Sequence, residues 1–110
     1  MLFRSTSSSS KIFILVSAFI AIGSGTNQGF GLAVYRGANQ VYYDGTNYAP
    51  GYIQMSGNWR MKSNIMYLDS PATTSSTTYT LYFNAYSSTV SFSSDTGSSP
   101  STMTLMEIAQ

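Results

Sequence analysis

The clearest alternation of apolar and polar positions lies in residues 77–86. Tyr79, Leu81, Phe83 and Ala85 fall on one side, and Thr78, Thr80, Tyr82, Asn84 and Tyr86 on the other. A period of two marks a half-buried β-strand, and Thr, Tyr and Phe suit its pleated surface. Asp69-Ser70-Pro71 stops the strand before it, residues 63–68. Proline cannot donate to a sheet ladder, and an Asp just upstream can fold its carboxylate onto backbone N–H groups. The small polar run 72–76 carries the chain onward. After Ser87-Ser88, Val90 and Phe92 alternate with Ser91 and Ser93. The pattern predicts a β-hairpin here.

Earlier in the chain, residues 12–22 form one apolar run, IFILVSAFIAI, broken only by Ser17. Two readings stand. The run is a long strand buried on both faces, which its β-branched content suits. Alternatively it is the h-region of a secretory signal, with Arg4 and Lys11 as the charged flank and Ala21-Ile22-Gly23 as a small-x-small cleavage site. It falls short of the roughly 20 apolar residues that span a bilayer. Residues 23–29 read as a turn. Phe30, Leu32 and Val34 then alternate with Gly31, Ala33 and Tyr35 in a second strand. A turn at 37–39 leads to a third strand near 41–43, and Asp44-Gly45 is a further turn signal. Short strands fit residues 52–55 and 59–62.

In the last segment, 102–110, the apolar parity changes midway: Met103 and Leu105 are odd, Met106 and Ile108 even. A β-bulge does this. So does a strand covered by its own core on one side and by a neighbouring subunit on the other. On the second reading Met103, Leu105, Met106 and Ile108 form a subunit interface. Glu107 sits among them and, if buried, needs a cation. The choices are Lys11, Arg36, Arg60 and Lys62, and Arg36 is the expected partner.

Composition narrows the class. The chain has 110 residues, room for one domain. We read residues 1–10 as a flexible N-terminal segment and 11–110 as a single β-sandwich domain. Only 8% of residues are charged, against about 25% in ordinary proteins. Ser and Thr together number 32, so hydroxyls wet the surface. The net charge is +1 without a basic cluster, which argues against nucleic acid as a partner.

The chain has no His and no Cys, and its acids are Asp44, Asp69, Asp95 and Glu107. A nucleophilic Ser lacks its usual base, and a zinc site lacks ligands. Asp44 and Asp69 are each explained by turn duty. We therefore expect no catalytic residues, no metal and no cofactor. Segment 42–60 differs in character: Tyr42, Tyr43, Tyr48, Tyr52 and Trp59 are interleaved with Gly, Asn and Pro. Rigid aromatics among such residues give contact area at low entropy cost. Stacking a sugar face on an aromatic ring needs no charge, so these five are the candidate ligand-binding residues. The alternative is that the rings fill the core or a subunit interface.

Three motifs carry a family likeness: SSSSKIFILV at 7–16, LDSPATTSSTTYTLY at 68–82 and TLMEIAQ at 104–110. Together they resemble the C-terminal domain of tail-fibre and related virion structural proteins of marine phages. The likeness extends over most of the chain from Ser5, and segment 42–62 lies outside its motifs. The resemblance implies an all-β, antiparallel jelly-roll sandwich of about eight strands, similar to tumour-necrosis-factor-like heads. It further implies a homotrimer at a fibre tip, located in the virion, that attaches to a host cell-surface glycan or protein without membrane insertion. Such domains usually follow a shaft, so the chain is read as part of a longer fibre or as a head lacking its shaft. The competing expectation is a small secreted β-sandwich protein exported by residues 1–23.

Overall fold

Two central strands, the β-branched Lys11–Ile22 and the Gly- and Phe-containing strand that follows it, each collect partners along both edges. The computed structural model describes residues 1–23, 28–44, 51–53, 57–85, 90–92 and 100–110. Among them every regular element is a strand: β1 Leu2–Phe3, β2 Lys11–Ile22, β3 Gln28–Arg36, β4 Asn39–Asp44, β5 Gly51–Ile53, β6 Trp59–Asp69, β7 Thr77–Ala85, β8 Val90–Phe92 and β9 Thr102–Ile108. Each pairing between them is antiparallel.

β2 builds a four-stranded sheet. β6 lies along one edge, from Asp69 opposite Ile12 to Trp59 opposite Ile22. The other edge is shared end to end by β9, opposite residues 11–17, and β8, opposite residues 20–22. β3 builds a five-stranded sheet in the same manner. β7 takes one edge, β4 and β5 share the other, and β1 adds to the start of β7.

The two sheets stack through one core. Ile12, Ile14, Val16, Ala18, Ile20 and Ile22 of β2 pack with Phe30, Leu32 and Val34 of β3, Ile65 of β6 and Tyr79 of β7. Each large side chain buried this way contributes about 1.5–3 kcal/mol. The expectation that β2 is covered on both faces is corrected by its outer row. Leu15 is 36% exposed, and Phe13 and Phe19 are only half-buried. A cut after Gly23 would remove β1 and also β2, the strand on which the four-stranded sheet is built.

Several other expectations are corrected. The β7–β8 hairpin does not form, because β8 pairs with β2 in the opposite sheet. β9 stops at Ser17 of β2, and β8 takes the edge left open beyond it. β9 itself is regular, with an unbroken register from Ile108 opposite Lys11 to Thr102 opposite Ser17, so no bulge changes its parity. The two short segments foreseen at 59–62 and 63–68 are one continuous strand, β6.

The N-terminal residues, expected to be flexible, are tied into the sheets. Leu2 and Phe3 pair with Thr78 and Thr77. Arg4 Nε donates to the Thr74 carbonyl at 3.1 Å. Glu107 accepts from the backbone N–H and the hydroxyl of Thr6, both at 2.8 Å, not from Arg36. Arg36 instead reaches Asp69, which is no turn residue but the buried end of β6.

β3 and β4 are joined by Gly37-Ala38. Gly37 has φ of 57°, the left-handed conformation that a two-residue hairpin demands and glycine supplies freely.

Candidate functional site

The two sheets turn different chemistry outward. On the β3 sheet, large residues of β3 alternate with small ones: Phe30, Leu32 and Val34 enter the core, and Gly31 and Ala33 form the outer floor. Register sets Tyr82 of β7 and Tyr43 of β4 opposite Ala33, one on each side, and Asn84 opposite Gly31. Neighbouring strands lie about 4.8 Å apart, so the two tyrosine backbones stand roughly 10 Å apart. Between them is a groove of about 410 Å³, lined also by Tyr35 and Gln40. Tyr82 is 55% exposed and Tyr43 47%. The Tyr35 ring meets the Tyr82 ring edge-on at 4.9 Å, and its hydroxyl donates to Gln40 Oε1 at 3.0 Å.

One irregularity decides which tyrosine reaches this groove. The β3–β4 register skips Val41: Tyr35 faces Gln40, but Val34 faces Tyr42. An extra residue in one strand reverses the parity of all that follow it. Tyr42 therefore turns inward, where it packs on the core and meets Tyr67 of β6 at 5.6 Å. Its hydroxyl donates to Asp44 Oδ2 at 3.3 Å. Burial, with the Asp44 charge and this hydrogen bond, raises the Tyr42 pKa above its ordinary value. Tyr43 turns outward.

On the other sheet the outer face is apolar at one end. Phe13 lies between Leu68 and Met106, and Leu15 between Met66 and Thr104, with Ile108 opposite Lys11. Met66 is 71% exposed, and Leu68, Met106 and Ile108 are each exposed by more than two-fifths. Toward the far end of β2 the same face turns polar: Ser17 is flanked by Asn64 and Thr102, Phe19 by Lys62, and Ala21 by Arg60.

The buried polar groups serve the fold. Arg36 Nη1 lies 3.1 and 3.0 Å from the two Asp69 oxygens, and the Tyr79 hydroxyl donates to Asp69 Oδ2 at 2.6 Å. Burial foremost, then the bond to Asp69, raises the Tyr79 pKa well above its ordinary value. The Glu107 carboxyl is held below its ordinary value by the hydroxyls of Ser10 and Thr6. Thr6 does so through a direct hydrogen bond. Ser10 Oγ itself is buried without a partner of hydrogen-bond geometry. Among the described residues no three His, Cys, Asp or Glu side chains gather to hold a metal ion.

Of the five candidate ligand residues, Tyr43 lines the groove and Tyr42 lines the interior. Tyr48 and the side chains of Tyr52 and Trp59 lie outside the described residues. Of the four candidate interface residues, Met103 and Leu105 pack against the core, and Met106 and Ile108 lie on the outer face. Sequence reasoning missed Tyr35, Gln40, Tyr82 and Asn84. The available signal was the small pair Gly31 and Ala33 at alternate positions of an otherwise bulky strand. The chain matches no family model, no curated protein and no solved structure.

Proposed function

We propose that the protein is a non-enzymatic virion structural module, a fibre-head domain of jelly-roll kind that trimerises and contacts a host surface receptor. The observation that carries this reading is the outer face of the β2 sheet. Phe13, Leu15, Met66, Leu68, Met106 and Ile108 sit side by side across three neighbouring strands. Scattered exposed apolar residues need no explanation, but a contiguous block of them marks an interaction surface. A charge-poor chain has little to keep such a face in water. Copies of the same chain cover it symmetrically, and a closed ring of three also shelters sheet edges. The likeness of the Leu-Asp-Ser-Pro segment and the terminal strand to phage fibre heads supports the trimer and the virion setting.

Light scattering on the purified full chain across a range of concentrations tests this. A stable trimer is expected, and Met66→Glu or Met106→Glu should return it to folded monomer. A wild-type chain that stays monomeric at every concentration would falsify the assembly reading.

A further inference from the structure

We infer that the groove between Tyr43 and Tyr82 is a binding site for a neutral saccharide, with one pyranose ring lying on Gly31 and Ala33. This deepens the receptor-contact part of the function proposed above, and its test is independent of assembly.

The floor comes first. A glycine and an alanine on the outer positions of a central strand bring a ligand close to backbone. On either side Tyr82 and Tyr43 rise from the neighbouring strands opposite the same residue, Ala33. The space is thus bounded laterally by two phenol rings and below by almost nothing. Its volume, about 410 Å³, lies within the roughly 300–1,000 Å³ of small-molecule sites.

The wall chemistry selects the ligand. The groove is lined by aromatic and apolar residues together with Gln40 and Asn84, so its polar groups are those of two amides and three tyrosines. Among the described residues no Lys, Arg, Asp or Glu lines it. A charged ligand would lose its hydration there without a counter-charge in return. A purely apolar ligand would leave the amides and hydroxyls facing it unpaired. A pyranose satisfies both conditions. Its C–H face is apolar and lies against a ring, and its hydroxyls at the rim exchange hydrogen bonds with amides that both donate and accept.

The groove is also held in shape before any ligand arrives. The Tyr35 hydroxyl fixes Gln40 at 3.0 Å, and the Tyr35 ring supports Tyr82 edge-on at 4.9 Å. Side chains already fixed lose less freedom on binding. Tyr35 is therefore a positioning residue for Tyr82 and Gln40.

The experiment uses the full chain in NMR or calorimetric titrations with maltose, cellobiose and lactose. Sialyllactose serves as the charged comparison. At least one neutral disaccharide should bind, and sialyllactose should bind at least tenfold more weakly than lactose wherever lactose binds. Tyr82→Ala and Tyr43→Ala should each weaken binding at least tenfold. Ala33→Ile, which fills the floor and keeps both rings, should abolish it. Tyr42→Phe, on the inward face, should leave affinity unchanged. Should Tyr82→Ala lose the fold, Tyr43→Ala on the outer strand and Ala33→Ile carry the same decision. No binding of any neutral disaccharide overturns the inference, as does binding that survives Tyr43→Ala and Ala33→Ile. Because binding is read on monomer or trimer alike, a failed assembly leaves this result intact.

Discussion

Arg36 and Asp69 join the two sheets at one end of the sandwich, Nη1 lying 3.1 and 3.0 Å from the two carboxylate oxygens. Arg36 ends β3 and Asp69 ends β6, 33 residues apart in sequence. Asp69 is only 5% exposed. Removing one partner of a buried pair leaves a charge without compensation, which costs about 3–5 kcal/mol. Here Tyr79 still donates to Asp69, and the guanidinium is partly open to water. Arg36→Met should therefore cost about 3 kcal/mol, the low end of that range. Urea unfolding measures it. The triple change Arg36→Met, Asp69→Leu and Tyr79→Phe should recover most of the loss, because it removes the charge, its partner and the phenol hydroxyl that would otherwise be left without an acceptor.

Tyr79 makes stability sensitive to alkali. Its folded pKa lies above the ordinary value of 10, so the fold prefers the neutral phenol. The stabilisation is fully present below pH 10 and is lost as pH rises beyond it, since the unfolded phenol then ionises first. Tyr42 shifts in the same direction and adds to the effect. The urea midpoint should therefore fall between pH 9.5 and 11, values chosen to bracket the ordinary phenol pKa near 10. Tyr79→Phe should lower stability at neutral pH by about 1.5–3 kcal/mol, for the lost bond to a carboxylate, and flatten the alkaline fall. A wild-type midpoint that holds constant across this window would count against the buried Tyr79–Asp69 bond.

At the acid end, Glu107 plays the opposite part. Its folded pKa lies below the ordinary value of 4.5, through the hydroxyls of Ser10 and Thr6. The contribution is present above pH 4.5 and disappears as pH falls through the folded pKa. Glu107→Gln should remove part of the acid sensitivity and loosen residues 1–6. Hydrogen exchange at the Thr6 amide reads that directly, because this N–H donates to Glu107 Oε1. Unchanged protection of that amide would show that the carboxylate does not hold the segment.

How much of this was legible beforehand depends on how local each signal was. β3 and β7 stood out because an alternating pattern needs only its own residues, and β2 because its apolar run is rich in β-branched residues. The destination of β8 did not, since Val90 and Phe92 alternate equally well in either sheet. Asp69 was read as a turn residue because Pro71 follows it. It shares odd parity with Ile65 and Tyr67, which already pointed it inward. Its partner, however, lay in another strand. Tyr42 and Tyr43 were indistinguishable by type. The skipped residue Val41, a property of the β3–β4 register, sends one to the core and the other to the groove. On β9 the change of parity was visible, and its meaning was two faces on one regular strand.

Ala72 carries a local strain. It is the non-glycine residue with positive φ among the described residues, at 52°, just after Pro71. An L-residue pays roughly 1–2 kcal/mol for this conformation, and glycine does not. Glycine also gives the unfolded chain more freedom, which takes back about 0.4–1 kcal/mol. Ala72→Gly should thus stabilise by about 0.5 kcal/mol, or about 2–4 °C in melting temperature. A fall in melting temperature would mean that the unfolded-chain effect outweighs the relief.

Ile14 and Leu15 are neighbours on β2 with opposite fates. Ile14 is fully buried between the sheets, and Leu15 is 36% exposed on the apolar outer face. Ile14→Ala should cost about 2–5 kcal/mol at any protein concentration, through lost burial and the cavity left behind. Leu15→Ala should cost only about 1 kcal/mol in dilute solution, where that face meets water. At high concentration the two should diverge further. If copies cover the outer face, association stabilises the wild type by mass action, and melting temperature rises with concentration. Leu15→Ala weakens that cover and should flatten the rise, whereas Ile14→Ala should shift the whole curve downward without changing its slope. Melting temperatures measured over a hundredfold range of concentration separate the two. A Leu15→Ala curve parallel to wild type would place the covering contact elsewhere on the molecule.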